Sequence, residues 1–196
     1  MKRITKRDII LDVAESLFEK QGYIATGINQ ITKEADVAAM TLYNNFENKE
    51  ALILAALERR SKRILETFNT HVNDDLQAPE KRIFMIFDKC DGWVSEKLQN
   101  PDDFAGCVFV KASMEFPSAS HPAHSFSAAH KKAIVSLFKD DLTELSYSNV
   151  DEMALNLHLI LEGAIVQANL FSDSQCIKRA KKLAKKLLDA SLMRET

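Results

Sequence analysis

The chain has 196 residues, enough for one large domain or a small domain joined to a medium one. Its 46% hydrophobic and 28% charged residues are ordinary for a soluble globular protein, and only 5 Gly and 4 Pro exclude a turn-rich β sandwich or a disordered chain. The net charge is −2, and residues 1–50 hold 7 Lys and Arg against 8 Asp and Glu, so a nucleic-acid role must rest on charge placement, not on the total.

Thr5 followed by Asp8 predicts a capping box at the start of a first helix. Ile9, Ile10, Val13, Ala14, Leu17 and Phe18 recur at helical spacing as one apolar stripe, and Asp8, Asp12, Glu15 and Glu19 form a separate acidic row. Lys2, Arg3, Lys6 and Arg7 crowd the helix start, where positive charge opposes the macrodipole. A phosphate backbone would favour them there, and a solvated basic terminus is the alternative.

Gly22 marks the end of this helix. Thr26 is placed to cap a second, short helix over 28–35, with Ile28, Ile31 and Ala35 facing inwards. A tight turn at 36–38 leads to a third helix over 39–46, whose Leu42 and Phe46 share the core face. Met40, Thr41, Tyr43, Asn44 and Asn45 are left to cover its remaining surface. Two adjacent Asn are poor choices for a purely structural helix, because their amides compete for backbone groups. Asn does suit a base edge, pairing best with adenine, while Thr and Tyr hydroxyls suit phosphate oxygens. Asn48 can cap the next helix, with Lys49 at its start. Two short helices joined by a tight turn, the second displaying polar groups, form the helix-turn-helix pattern.

Thr26, Ala35-Asp36-Val37, Thr41-Leu42-Tyr43, Phe46 and Lys49-Glu50 with Leu52 stand in order and spacing over about residues 5–53. This segment resembles the DNA-binding region of the tetracycline-repressor (TetR) family of bacterial regulators. The turn carries Asp36 where that pattern commonly has Gly, and Ala38 stands where Ser commonly caps the third helix. The resemblance implies an all-α protein with a helix-turn-helix domain over 1–50 and a larger ligand-binding and dimerisation domain over 51–196. It implies Thr26, Tyr43 and Lys49 at phosphates, and Met40, Thr41 and Asn44 at base edges.

Beyond Glu47 the chain reads as further helices, about nine in all. One runs from Lys49 into the 60s, carrying Arg59, Arg60, Lys62 and Arg63, and another starts at Pro79 and reaches about residue 99. A further segment spans 103–116, and helix resumes near Ser125 to about Leu145. Residues 151–171 place Met153, Leu157, Ile160, Leu161, Ala164 and Ala168 on one side and Leu155, Leu159, Val166 and Leu170 on the other. A helix apolar nearly all round is expected to be buried on every side, here by a partner subunit. The last helix sets Ile177, Ala180, Leu183, Ala184, Leu187 and Leu188 opposite Lys178, Arg179, Lys181, Lys182, Lys185 and Lys186. That basic row reads as a solvated face, with a second nucleic-acid patch as the alternative. By the same resemblance, residues 151–192 are expected to pair two copies into a homodimer.

Seven of the 11 Phe lie between 84 and 138, together with the only Trp, Trp93. Most belong to a core, but the resemblance implies an apolar effector pocket, with Trp93, Phe109, Met114, His158 and Gln167 as its expected wall. His158 and Glu162 share a helix face, so each must find a polar partner. His121, His124 and His130 lack acidic or Cys residues at ligand spacing, and no metal is expected; His121-Pro122 reads as a loop-shaping pair. Cys107 is a weak redox candidate whose one cationic neighbour by spacing is Lys111.

No signal peptide is expected at the N-terminus, which lacks a long apolar core and a cleavage site. The longest apolar run, 51–57, is far below the ~20 residues of a membrane span. Cys90, Cys107 and Cys176 are odd in number and show no C-x-x-C spacing, which points to the cytoplasm. No nucleophile–base motif, Gly-rich phosphate loop or cofactor signature occurs. The expected function is therefore a homodimeric regulator released from a pseudo-palindromic DNA operator by a small apolar ligand, not an enzyme. An all-α ligand-binding protein or enzyme retaining the helix-turn-helix only as packing is the alternative.

Overall fold

Helical spacing in the sequence becomes helix throughout the computed structural model, which describes residues 4–72, 78–100 and 105–192. Lys2 and Arg3, and the first two residues of the segment expected to start at 103, lie outside the described residues. The described residues form nine helices and no strand: α1 (Lys6–Gln21), α2 (Ile28–Glu34), α3 (Ala39–Asn45), α4 (Lys49–Val72), α5 (Pro79–Lys97), α6 (Val108–Glu115), α7 (Pro122–Glu144), α8 (Val150–Phe171) and α9 (Cys176–Leu192). The expected all-α class stands. Two units pack separately. One is Met1–Lys62 with Cys107–His130; the other is Arg63–Gly106 with Lys131–Thr196.

In the first unit the Thr5 hydroxyl accepts from the Asp8 amide at 3.1 Å, and the Asp8 carboxylate accepts from the Thr5 amide at 3.0 Å. These reciprocal bonds satisfy two amide donors at the start of α1 that the helix itself cannot. The α1 stripe is buried at Ile10, Leu11, Ala14, Leu17 and Phe18, and α1, α2 and α3 pack on one another. Gly22 closes α1 at φ 89°, a region closed to side-chain-bearing residues at ordinary cost.

Thr26 does not cap α2. The cap position is Gly27, without a side-chain bond, while the buried Thr26 hydroxyl donates to the Gly22 carbonyl at 2.6 Å. Ile31 and Ala35 are buried as expected, whereas Ile28 is only half-buried. α2 ends in a Schellman motif: the Val37 amide donates to the Thr32 carbonyl at 3.0 Å and the Asp36 amide to the Lys33 carbonyl at 3.3 Å. Asp36 supplies the left-handed residue this motif requires, at φ 50°. Asn48 caps α4 by accepting the Ala51 amide at 2.8 Å.

In the second unit α5, α8 and α9 pack together. Arg82 is buried, with its Nε 2.6 Å from the Asp141 carboxylate, which is itself fully buried; it also pairs with Glu144. Lys131 reaches Glu162 at 2.6 Å and Lys181 holds Asp88 at 2.5 and 2.7 Å. The α8 face of Met153, Leu157, Leu161, Ala164 and Ala168 is buried, and Ile160 is half-buried. The opposite face is not covered within the chain: Leu155, Leu159, Val166 and Leu170 are 54–71% exposed. Leu183, expected in the buried stripe of α9, is exposed as well. α8 is long and apolar enough to cross a membrane by length and composition. One of its faces nevertheless packs in a protein core, and it carries the paired Glu162.

Candidate nucleic-acid interface

The first unit presents α3 with one side anchored and the other open. Leu42 and Phe46 are buried beneath it, and Met40, Tyr43 and Asn44 are exposed. Thr41 is half-buried, and its carbonyl accepts the Asn45 side-chain amide at 2.7 Å. The two adjacent Asn therefore divide the work: Asn45 bonds its own helix, and Asn44 keeps both its donor and its acceptor at the surface. Lys6 and Arg7 are exposed at the start of α1, and the Arg7 guanidinium lies 5.0 Å from the centre of the Phe46 ring, the residue that closes α3. That cation–π contact ties the basic start of α1 to the end of the exposed helix.

Of the other residues expected at phosphates, Lys49 is half-buried and donates to the Ile24 carbonyl at 3.1 Å. Burial lowers its pKa, and Glu115 opposes that shift. Thr26 is 0% exposed, its hydroxyl donating to Gly22 and accepting from the Gln21 side chain at 3.2 Å. It offers no surface to a phosphate; instead it fixes the corner between α1 and α2.

Charge placement resolves the negative total of residues 1–50. The acidic row of α1 turns to α4: Arg59 bonds Glu15 at 2.6 Å and Asp12 at 2.7 Å, and Arg60 stands 3.7 Å from Glu19. Arginines from beyond residue 50 thus neutralise carboxylates that the local count sets against DNA.

A second group escaped the sequence reading. The Glu115 carboxylate of α6 accepts the Tyr23 amide at 3.1 Å and the Ile24 amide at 2.6 Å. Lys111 donates to the Glu19 carbonyl at 2.6 Å, and the buried Tyr23 hydroxyl donates to the Val108 carbonyl at 3.1 Å. Burial raises the Tyr23 pKa far above its ordinary value, so the hydroxyl stays a donor. These four bonds clamp α6 to the corner that leads into α2. Their partners lie 85 to 92 residues apart, so no local pattern announces them. Lys111 is thereby engaged at a backbone carbonyl, and Cys107 stands half-buried at the cap position of α6.

The histidines serve local structure. His121 accepts the Ala123 amide through Nδ1 at 3.2 Å, ahead of Pro122 in the first turn of α7, and stacks on Phe116 at 4.3 Å. His124 Nδ1 lies 2.9 Å from the Phe116 carbonyl, and the buried His130 stacks on Phe109 at 3.7 Å while meeting Ser61 at 2.8 Å. Among the described residues, no group of three His, Cys, Asp or Glu is arranged to hold a metal.

The expected effector wall is divided between the units. Phe109 is buried and Met114 is 75% exposed in the first; in the second, Trp93 and His158 are half-buried and Gln167 is exposed on α8. His158 Nε2 lies 3.7 Å from Glu162, and burial holds its pKa below the ordinary value despite that carboxylate, with Lys131 adding to the depression.

Residues 10–56 match the profile of bacterial regulatory proteins of the tetR family. The HTH-type transcriptional regulator YjdC of Escherichia coli is 25% identical over 183 residues, 93% of each chain. A solved structure assigned as a TetR transcriptional regulator from Streptomyces avermitilis aligns with a TM-score of 0.81 and 26% identity, covering 96% of this chain and 98% of the other. A TetR-family regulator from Streptomyces coelicolor shares the fold with a TM-score of 0.84 at 24% identity, over 95% of each chain. Residues 10–56, with the helix-turn-helix on α2 and α3, match the DNA-binding region of the tetR family of bacterial regulatory proteins, and over nearly its whole length the chain is similar to DNA-binding regulators of transcription.

Proposed function

We propose that the protein is a cytoplasmic homodimer that represses transcription by holding a pseudo-palindromic operator and is released when a small apolar ligand binds. The observation that carries this reading is the outer face of α3, where Met40, Tyr43 and Asn44 stand exposed above a buried anchor of Leu42 and Phe46. In a twofold dimer two such helices enter successive major grooves. Asn44, Met40 and the edge of Thr41 meet bases. Tyr43, Lys6 and Arg7 meet phosphates, and Lys49 joins them through the two N–H groups not used on Ile24. Thr26 contributes by position alone.

The uncovered face of α8 supports pairing through residues 151–192, since an exposed apolar patch of this extent marks an association surface. Residues 1–50 carry the DNA contacts, and the chain from 51 on carries pairing and effector binding. Within the second unit, Trp93 and His158 are the residues that suit an apolar ligand with one polar group. An effector that prefers the state with displaced recognition helices then weakens DNA binding, typically by ~1–3 kcal/mol of coupling.

The test is selection of bound duplexes from a random pool at moderate salt. A twofold-symmetric motif is expected, and Asn44→Ala should relax preference at one position in each half-site, a loss of ~1–3 kcal/mol of discrimination. No enriched motif, or a motif unchanged by Asn44→Ala, would remove the operator reading or the Asn44 assignment respectively.

A further inference from the structure

Arg59, Arg60, Arg82 and Arg179 are each held by a carboxylate, whereas Arg7 is held by a ring. Its guanidinium carbon lies 5.0 Å from the centre of the Phe46 ring. Among the described residues the Arg7 side chain has neither an ion pair nor a hydrogen bond. Phe46 follows α3 in extended backbone and is only 4% exposed, so its ring is a rigid support. A guanidinium over a ring is attracted through its face, and its N–H donors lie in its plane. All five therefore stay unspent in an exposed side chain. Covering Phe46 does not call for a cation. Met or Leu would shield the ring as well, without opposing the α1 macrodipole.

We infer that Phe46 is a positioning residue for the DNA backbone: its ring presets the Arg7 guanidinium to take one phosphate through two parallel N–H bonds, beside the groove that α3 enters. Bidentate capture of a phosphate needs the planar fork of arginine, held in one orientation. An exposed arginine gives up rotamer freedom when it binds, and the ring has already removed part of that cost. Phe46 closes α3, so the same residue that ends the recognition helix sets where the nearest basic fork stands. A phosphate contact fixes orientation without reading sequence, so the pair governs affinity and leaves base preference to α3. The inference rests on the DNA-binding reading above and adds to it the residue that fixes Arg7.

The test titrates the full chain across a salt series on the duplex selected from the random pool and on an unselected duplex, for Arg7→Ala, Phe46→Leu and the double variant. Arg7→Ala should weaken binding about tenfold and make the salt slope shallower by about 0.9 per subunit, the share of one phosphate. Phe46→Leu should weaken binding without changing the selected motif, and should add nothing in the Arg7→Ala background. Lys6→Ala is the control. Lys6 is exposed and has no ring contact among the described residues, so Phe46→Leu should cost as much there as in the unaltered chain. Additive losses of Arg7→Ala and Phe46→Leu, or a motif changed by Phe46→Leu, would show Phe46 acting through α3 and overturn the inference. If circular dichroism shows Phe46→Leu unfolded, NMR of the unaltered chain decides. The ring should shift the Arg7 δ-methylene protons upfield both free and on DNA, and loss of that shift on binding overturns the inference. If Arg7→Ala binds as tightly as the unaltered chain at every salt concentration, this inference falls and the operator reading stands. If no motif is enriched, yet the Arg7 and Phe46 losses are coupled on the unselected duplex, the operator reading falls and this one stands. If the unaltered chain binds no duplex, both fall.

Discussion

Gly22→Ala should be among the most damaging substitutions in the first unit, for two separable reasons. At φ 89° and ψ 172° the backbone lies in a region that only glycine occupies readily, so alanine there costs about 2 kcal/mol in strain. The new Cβ would also stand 2.5 Å from Glu115 Oε1, forcing the carboxylate away from the Tyr23 and Ile24 amides. Charge-assisted bonds contribute ~1.5–3 kcal/mol each when shielded, but Ile24 is exposed, so the pair is better taken as about 2 kcal/mol. Gly22→Ala should therefore cost about 4 kcal/mol and Glu115→Ala about 2. The double variant should cost no more than Gly22→Ala alone, because the clash has already broken the bonds, giving a coupling of about 2 kcal/mol. Urea denaturation of the four proteins, followed by circular dichroism, completes the cycle. Additive losses would refute the claim that the Gly22 requirement acts through Glu115.

Asp36→Gly should stabilise the fold by about 0.5–1 kcal/mol, since glycine fits the left-handed Schellman position better and offsets its greater unfolded-state entropy; a raised thermal midpoint checks this. Arg82→Met leaves the fully buried Asp141 without its cation and should cost about 3–5 kcal/mol in chemical denaturation, with Asp141→Leu recovering most of the loss in the double variant. His158 gives a pH dependence. Its folded pKa lies below its ordinary value of 6.5, so the unfolded chain binds the proton first, and stability is full above about 6.5 and falls as pH drops below it. Glu162 and Lys131 are the charged groups facing it, and the net shift is set by burial. His158→Gln should flatten that part of the urea-midpoint profile, and an unchanged slope would place the titrating group elsewhere.

The sequence by itself determined the helices and the recognition motif, because their signals are local. The Thr5–Asp8 box, the Gly22 stop, the Asn48 cap and the Leu42–Phe46 pair are set by neighbours within one or two turns, and each stands in the fold as expected. The exposed Met40, Tyr43 and Asn44 follow from the same periodicity once Leu42 is known to point inwards. Tertiary structure alone decided what depends on distant partners. Thr26 reads locally as a cap, but the carbonyl of Gly22 takes its hydroxyl and burial removes it from the surface. The acidic row of α1 reads as a charge against DNA until Arg59 and Arg60 turn it into an internal ion-pair seam. Leu183 reads as core by its spacing and is exposed, because helical periodicity gives the angle between residues but not which side a neighbour covers. The clamp of Glu115, Lys111 and Val108 on the α1–α2 corner had no signal in the sequence. Its strength comes from backbone groups left unpaired between helices, and only the folded chain brings a carboxylate from some 90 residues away to meet them.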